Sequence, residues 1–265
     1  MKQVPTGIDG LDKMSNGGLP AGRSVLLCGG PGSGKTILSW QFLYNGAALY
    51  NEPGLYVSLD EDISQLEEEM ESFGWNMKNQ DNTGLRSPGW QKITVLDASP
   101  IRSVPGKVKI GDLCIGKRDF NLITLIELIR SRAKKIKAKR IVIDPITAFT
   151  LQYDNISERR TAVLDLFDAL AKLQTTNLIT AELRRVTLAR KIVTEEFLAN
   201  GVIVLHVFTN NMGIVRGIQI EKMRGIAHDC QIRPYEITDK GLEVFPQEEP
   251  LIGIDTAIST SQRQH

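Results

Sequence analysis

Aromatic residues are scarce in this 265-residue chain, at 6%, and cysteine is scarcer still, with Cys28, Cys114 and Cys230 alone. No two cysteines stand in CxxC spacing, so neither a zinc site nor a redox dithiol is suggested, and a reducing compartment suits the chain best. Charge of one sign is missing too: 32 basic side chains face 31 acidic ones, a net +1. That balance excludes a protein that coats nucleic acid by charge alone and leaves only local basic faces to consider. No run approaches the roughly 20 apolar residues that a membrane-crossing helix needs. The opening Met1-Lys2-Gln3-Val4-Pro5 also lacks the apolar stretch of a signal peptide. A soluble, cytoplasmic protein with no membrane partner is expected. The remainder, 42% apolar and 24% charged, is ordinary globular composition, and a chain of this length builds a core without disulfides or a structural metal.

Apolar runs alternate with helical periodicity along the chain, which is the pattern of an α/β fold with a mostly parallel sheet. Strands are predicted at Ser24 to Cys28, Gly54 to Leu59, Ile93 to Leu96, Ile141 to Asp144 and Leu178 to Thr180. Helices are predicted at Thr36 to Tyr50, from Ile63 through Phe73, from Leu122 to Ile136 and from Arg159 to Leu173, from apolar residues recurring every three or four positions. Residues Ser99 to Arg118 read as a long loop or small insertion. Val202 to Val207, Ile214 to Ile220 and Pro234 to Ile237 read as a hairpin-linked, antiparallel C-terminal extension. With no internal repeat and no linker, residues 1–246 are expected to form one domain, and 247–265 a polar, disordered tail.

The most specific motif is Gly29-Gly30-Pro31-Gly32-Ser33-Gly34-Lys35-Thr36, which fits G-x-x-x-x-G-K-[ST] and lies between a predicted strand and a predicted helix, the context it requires. Glycines let the loop wrap so that backbone N–H groups face phosphate oxygens, and the following helix adds its positive end. Ile37, in the first turn of that helix, is counted with the loop. Lys35 would reach the β and γ phosphates of ATP and take part in catalysis, and the Thr36 hydroxyl would coordinate Mg²⁺. A second acidic position follows about a hundred residues on, where the strand ending at Asp144 delivers a carboxylate to the edge at which open α/β sheets bind ligands. Beside a phosphate loop, that carboxylate reads as the magnesium aspartate.

Hydrolysis also needs a carboxylate to orient or deprotonate water. The strand from Gly54 ends in Asp60-Glu61-Asp62. Asp62 reads as a helix-start acid complementing the dipole, while Asp60 and Glu61 are open to either role on the residues alone. The order of motifs then resembles the KaiC family of RecA-like ATPases over nearly the whole chain, from about Pro5 to about Val244. Thr6-Gly7-Ile8-Asp9-Gly10-Leu11-Asp12 and Gly17-Gly18-Leu19-Pro20-Ala21-Gly22 resemble the segment preceding that family's phosphate loop. Asp60-Glu61 falls where the family carries two adjacent catalytic glutamates, Ser72-Phe73-Gly74-Trp75 is similar to its Ser-Phe-Gly-Trp helix end, and Asp144 matches its magnesium-site aspartate. Lys222-Met223-Arg224-Gly225-Ile226-Ala227-His228 resembles the family's Lys-x-Arg-Gly-x-x-His segment, and Thr238-Asp239-Lys240-Gly241 continues the match.

The resemblance implies an α/β, RecA-like P-loop domain that hydrolyses ATP with Mg²⁺, assembled as a homo-oligomeric, hexameric ring with nucleotide at the subunit interfaces and a regulatory role. It implies Glu61, helped by Asp60, as the water-activating acid, with Glu61 counted at the metal as well, and Ser72 near the nucleotide. Lys222, Met223, Arg224, Ile226, His228 and Asp239 would meet the neighbouring subunit's ATP. Asp60 is one methylene shorter than the family's glutamate, which points to Glu61 as the base and to slow turnover. Members with two tandem domains carry a phosphorylated Ser-Thr pair where this chain has Glu196-Phe197, so autophosphorylation at this place is not expected. A circadian role does not follow from the fold.

Other signals are weaker. Arg132, Lys134, Lys135, Lys137, Lys139 and Arg140 read as a cationic helix end with a solvated face. Arg184-Arg185 and Arg190-Lys191 form a second basic region, in the area that lines the channel of RecA-like rings, but sparse aromatics give base stacking little support and nucleic acid is not favoured. His206 reads as a satisfied core histidine, and Thr180 and Glu182 are placed to sense a γ phosphate by position alone. Two rival readings stand beside the ATPase ring: a RecA/RadA-type DNA recombination accessory, and a switch that binds ATP to set its assembly with negligible turnover. The protein partner is left unassigned.

Overall fold

A computed structural model describes residues 1–75, 92–98, 107–110, 113–116, 122–150, 153, 155–182, 194–210 and 213–251. In chain order the N-terminal half contains β1 (Gln3–Val4), α1 (Asp9–Met14), β2 (Leu19–Pro20), β3 (Ser24–Gly29), α2 (Lys35–Leu49), β4 (Gly54–Ser58), α3 (Ile63–Glu71) and β5 (Ile93–Asp97). A small hairpin follows, β6 (Lys107–Ile110) and β7 (Leu113–Gly116), in the stretch expected to be a loop or insertion. The second half contains α4 (Leu122–Ile136), β8 (Arg140–Asp144), α5 (Ile146–Thr150), α6 (Ile156–Leu173), β9 (Thr176–Glu182) and α7 (Thr194–Leu198). It closes with β10 (Gly201–Asn210), β11 (Gly213–Met223), β12 (Arg233–Thr238) and β13 (Gly241–Val244).

One nine-stranded sheet, ordered β13-β12-β11-β10-β3-β9-β8-β4-β5, carries the fold. The six strands from β10 to β5 pair in parallel, and β11, β12 and β13 extend the sheet antiparallel. β10, expected among the antiparallel strands, is the junction: it pairs parallel with β3 on one side and antiparallel with β11 on the other. Every residue of β3, β4 and β8 is buried, as parallel strands covered on both faces require. Successive side chains enter opposite cores. Leu26, Leu55, Val57, Ile141 and Ile143 pack with α4 and α6, while Val25, Leu27, Tyr56 and Val142 pack with α1, α2 and α3. Past Val244 the chain stays hydrogen-bonded as far as Leu251, whose N–H donates to the Ile232 carbonyl at 2.9 Å. The rest of the expected tail, 252–265, lies outside the described residues. No described helix is long and apolar enough to cross a membrane.

Arg140 corrects the reading of its basic cluster. It is not on a solvated face but fully buried at the start of β8. Its Nε donates to Glu52 Oε2 at 2.7 Å and its Nη1 to the Phe42 carbonyl at 2.8 Å, with the guanidinium over the Phe42 ring at 4.6 Å. A buried ion pair demands such partners. Gly46 of α2 makes the space: a Cβ there would lie 2.5 Å from Arg140 Cδ. Alanine ordinarily stabilises a helix interior by ~1 kcal/mol over glycine, but overpacking costs about 1–3 kcal/mol and Arg140 cannot retreat without straining its ion pair. Gly46→Ala is therefore expected to lower the urea midpoint. A raised midpoint would show that Arg140 is not locked in place.

Candidate active site

The phosphate loop turns from the end of β3 into α2. Gly34 precedes the helix with φ 84°, a left-handed conformation that favours glycine, and a Cβ there would stand 3.0 Å from Ile237 Cδ1. Among the described residues no side chain caps the helix, so the first N–H groups of α2 stay available to an anion. Inside the loop the Ser33 hydroxyl donates to the Gly30 carbonyl at 2.8 Å, and the Tyr235 hydroxyl of β12 donates to the Ser33 carbonyl at 2.6 Å. Gln41 of α2 exchanges hydrogen bonds with the backbone of Leu242, at 2.9 and 3.3 Å. The β12–β13 hairpin thereby braces the loop and its helix as one unit. Pro31 and Gly32 are exposed, and Ile37 is half-buried in the first turn of α2.

Lys35 is half-buried, with its Nζ donating to the Gly30 carbonyl at 3.0 Å. Burial pulls its ammonium below the ordinary lysine range, against the opposing pull of Asp144 and Glu182. Such a cation gains more than most from an incoming anion. Asp144, buried at the end of β8, receives three hydroxyls. Thr36 Oγ1 donates to its Oδ2 at 3.0 Å, Tyr56 of β4 donates to the same oxygen at 2.7 Å, and Thr180 of β9 donates to Oδ1. Thr36 and Asp144, 108 residues apart in sequence, thus meet directly. Hydroxyl and carboxylate oxygens are the hard donors that Mg²⁺ takes. Among the described residues no three His, Cys, Asp or Glu side chains cluster as a metal cage, so an ion here would draw on phosphate oxygens and water, as Mg²⁺ commonly does.

Asp60 and Glu61 lie exposed in the turn after β4. That turn is fixed from two sides: Leu59 N–H donates to the Asp144 carbonyl at 2.8 Å, and Ser58 Oγ donates to the Glu61 carbonyl at 2.6 Å. Partial desolvation, then the Asp144, Glu69 and Asp60 carboxylates, push the Glu61 carboxyl up to about 6, while Lys35 pulls it back. β4 is separated from β3 by β8 and β9, so the acids approach the loop from across the site rather than from the adjacent strand. Glu182 is nearer in register, opposite Gly29 on the strand beside β3. Asp62 caps α3 by accepting from Ser64 N–H at 2.7 Å, the helix-start role expected of it.

The remaining candidates sit further out. Ser72 ends α3 with its hydroxyl donating to the Glu69 carbonyl at 2.7 Å. Lys222 Nζ donates to the Glu196 carbonyl at 2.9 Å, and Arg224 Nη2 to the Phe197 carbonyl at 3.0 Å. Both cations therefore reach one side, although Arg224 lies just past the end of β11. Burial, and secondarily Arg224, lower the Lys222 ammonium. Met223 is buried and Ile226 half-buried, His228 Nδ1–H donates to the Ile226 carbonyl at 2.9 Å, and Asp239 is exposed at the β12–β13 turn. His206, buried on β10, pairs with Gln219 Oε1 at 3.1 Å. The basic segment from Arg184 to Lys191 lies outside the described residues.

With a phosphate loop, a strand-end aspartate on its threonine and a flanking acidic turn, the architecture is that of a RecA-like P-loop domain. A sequence model of the family described as "ATPase: KaiC" matches residues 4–249. The chain belongs to the KaiC ATPase family. The circadian clock oscillator protein KaiC of Nostoc sp. is 35% identical over 247 residues, covering 93% of this chain and 44% of that protein. The KaiC of Synechococcus elongatus is 34% identical over 245 residues, with 92% and 44% covered. The chain spans less than half the length of these clock proteins. The crystal structure of a KaiC-like protein from the hyperthermophilic archaeon Pyrococcus horikoshii superposes with a TM-score of 0.74 at 35% identity, covering 92% of this chain and 99% of that one.

Tyr56 and Tyr235 were not singled out by sequence reasoning. A signal existed for Tyr56: a tyrosine inside a buried parallel strand must find a partner for its hydroxyl, and the acid-bearing strand β8 is its neighbour.

Proposed function

We propose that this KaiC-family domain binds and hydrolyses ATP with Mg²⁺, slowly, in a ring whose interfaces hold the nucleotide, and that it serves a regulatory role. The observation that carries the site assignment is the Thr36–Asp144 hydrogen bond at 3.0 Å, formed where the phosphate loop opens α2. Lys35 and the loop amides bind the phosphates, and Thr36 and Asp144 hold the metal. Mg²⁺ bound there supplies charge neutralisation on the β and γ phosphates. Glu61, flanked by Asp60, takes a proton from the attacking water. Lys222 and Arg224 release the carbonyls of α7 and meet the phosphates of the next subunit. The test is phosphate release from ATP by wild type and Asp144→Asn, with Mg²⁺ and with a chelator. Release that is lost with chelator and in Asp144→Asn supports the reading, and release indifferent to both contradicts it.

Glu61 adds a pH dependence whose sign follows from its raised carboxyl. The base must be ionised, so the active fraction is full only well above about 6 and falls as pH drops through that value. The expected kcat/KM for phosphate release is halved near pH 6 and declines about tenfold per unit below it. Glu61→Gln should lose about 10²–10⁴ in rate and flatten this limb. A wild-type limb that persists unchanged in Glu61→Gln would assign the titration to another group.

A further inference from the structure

Of the three hydroxyls on Asp144, that of Thr36 is the one a bound metal would draw away. The other two are buried and committed to the carboxylate, and Thr180, read from position as a γ-phosphate sensor, turns its hydroxyl to Asp144 instead. Tyr56 is 1% exposed, and its ring stacks on Trp40 with centroids 4.4 Å apart and planes 22° apart. It therefore has one direction in which to aim its hydroxyl, and that direction ends on Asp144 Oδ2 at 2.7 Å. Thr180, fully buried on the neighbouring strand, holds Oδ1. A carboxylate gripped at both oxygens cannot rotate, and its remaining lone pairs point where the Thr36 hydroxyl now lies.

We propose that Tyr56, together with Thr180, is a positioning residue for the magnesium aspartate: it fixes the plane of the Asp144 carboxylate so that the metal meets it without reorganisation. The inference rests on the Mg–ATP reading of the site and concerns how this chain makes that site selective for the metal-bound form of the nucleotide. Partners that orient a metal ligand typically contribute about 10–100-fold in metal affinity. Binding of the nucleotide without metal depends on Lys35 and the loop amides and should be untouched.

The experiment measures the affinity of a fluorescent ATP analogue for wild type, Tyr56→Phe and Thr180→Val, in Mg²⁺ and in chelator, with the thermal midpoint of each protein recorded. Phenylalanine keeps the ring on Trp40 and removes only the donor. The expected result is a loss of about tenfold or more in Mg²⁺, with affinity in chelator within about twofold of wild type. Equal losses in both conditions would mark Tyr56 as merely structural, and no loss in either would equally overturn the proposal. If Tyr56→Phe does not fold, Thr180→Val carries the same expectation and the same power to contradict it. Wild type that fails to bind the analogue at all would remove the Mg–ATP reading itself, which is a separate outcome from wild-type binding that the two variants leave unchanged.

Discussion

Lys35→Ala is expected to reduce kcat/KM for ATP by about 10³–10⁵. A charge-assisted hydrogen bond is worth about 1.5–3 kcal/mol in binding, and a donor aimed at charge that develops in the transition state adds about 10²–10³ in rate. Both terms are expected of this one side chain, whose Nζ donates to the Gly30 carbonyl within the loop. The loss should not come from unfolding. Burial lowers the Lys35 ammonium, so its charge opposes folding at neutral pH, and removing it should leave the urea midpoint unchanged or raised. Phosphate release and nucleotide binding, read beside that midpoint, check both halves. A variant within tenfold of wild type would mean that the loop is not where ATP is held.

Arg224→Ala carries the second large effect. A cation supplied to a transferring phosphoryl group by another subunit is worth about 10³–10⁵ in rate, whereas an exposed arginine on its own domain's surface is worth almost nothing. Within this chain Arg224 and Lys222 donate to backbone carbonyls of α7, contacts that a phosphate would replace at a net gain in charge. Arg224→Ala is expected to lower turnover by about 10³ with little change in the amount of ATP bound per chain. Arg224→Lys should recover only part of it, because the ammonium lacks the planar fork. Turnover unchanged in Arg224→Ala would leave the arginine as a tether for α7 and nothing more.

The parts of the site that sequence reasoning reached share a property: their neighbours in sequence define them. The loop from Gly29 to Thr36 is recognisable because strand, glycines and helix follow one another without a gap, and Asp144 because it ends a run of apolar residues. Side chains whose meaning lies in a distant partner were missed or misread. Tyr56 finds Asp144 88 residues on, Tyr235 finds Ser33 across 202 residues, and Arg140 finds Glu52 88 residues back. Nothing local separates Arg140 from the solvated lysines before it. The same limit explains the fold. β10 looks like its antiparallel successors from its own residues, and only its pairing with β3 shows it to be the edge of the parallel sheet. β1, β2 and β13 span two to four residues, too few to show a period.

The proposed sharing of each site between two subunits has a consequence that no single variant can mimic. On the proposed arrangement, Glu61→Gln would impair the site in which a subunit holds its own ATP, while Arg224→Ala would impair the site of its neighbour. In a head-to-tail ring built from an equal mixture, about a quarter of the interfaces combine an intact Glu61 with an intact Arg224. The decisive measurement is phosphate release from Mg–ATP by the two nearly inactive variants, separately and after mixing. Recovery toward about a quarter of wild-type turnover is the expected result. A mixture that shows only the mean of its two components would contradict an ATPase site completed by a second copy of the chain.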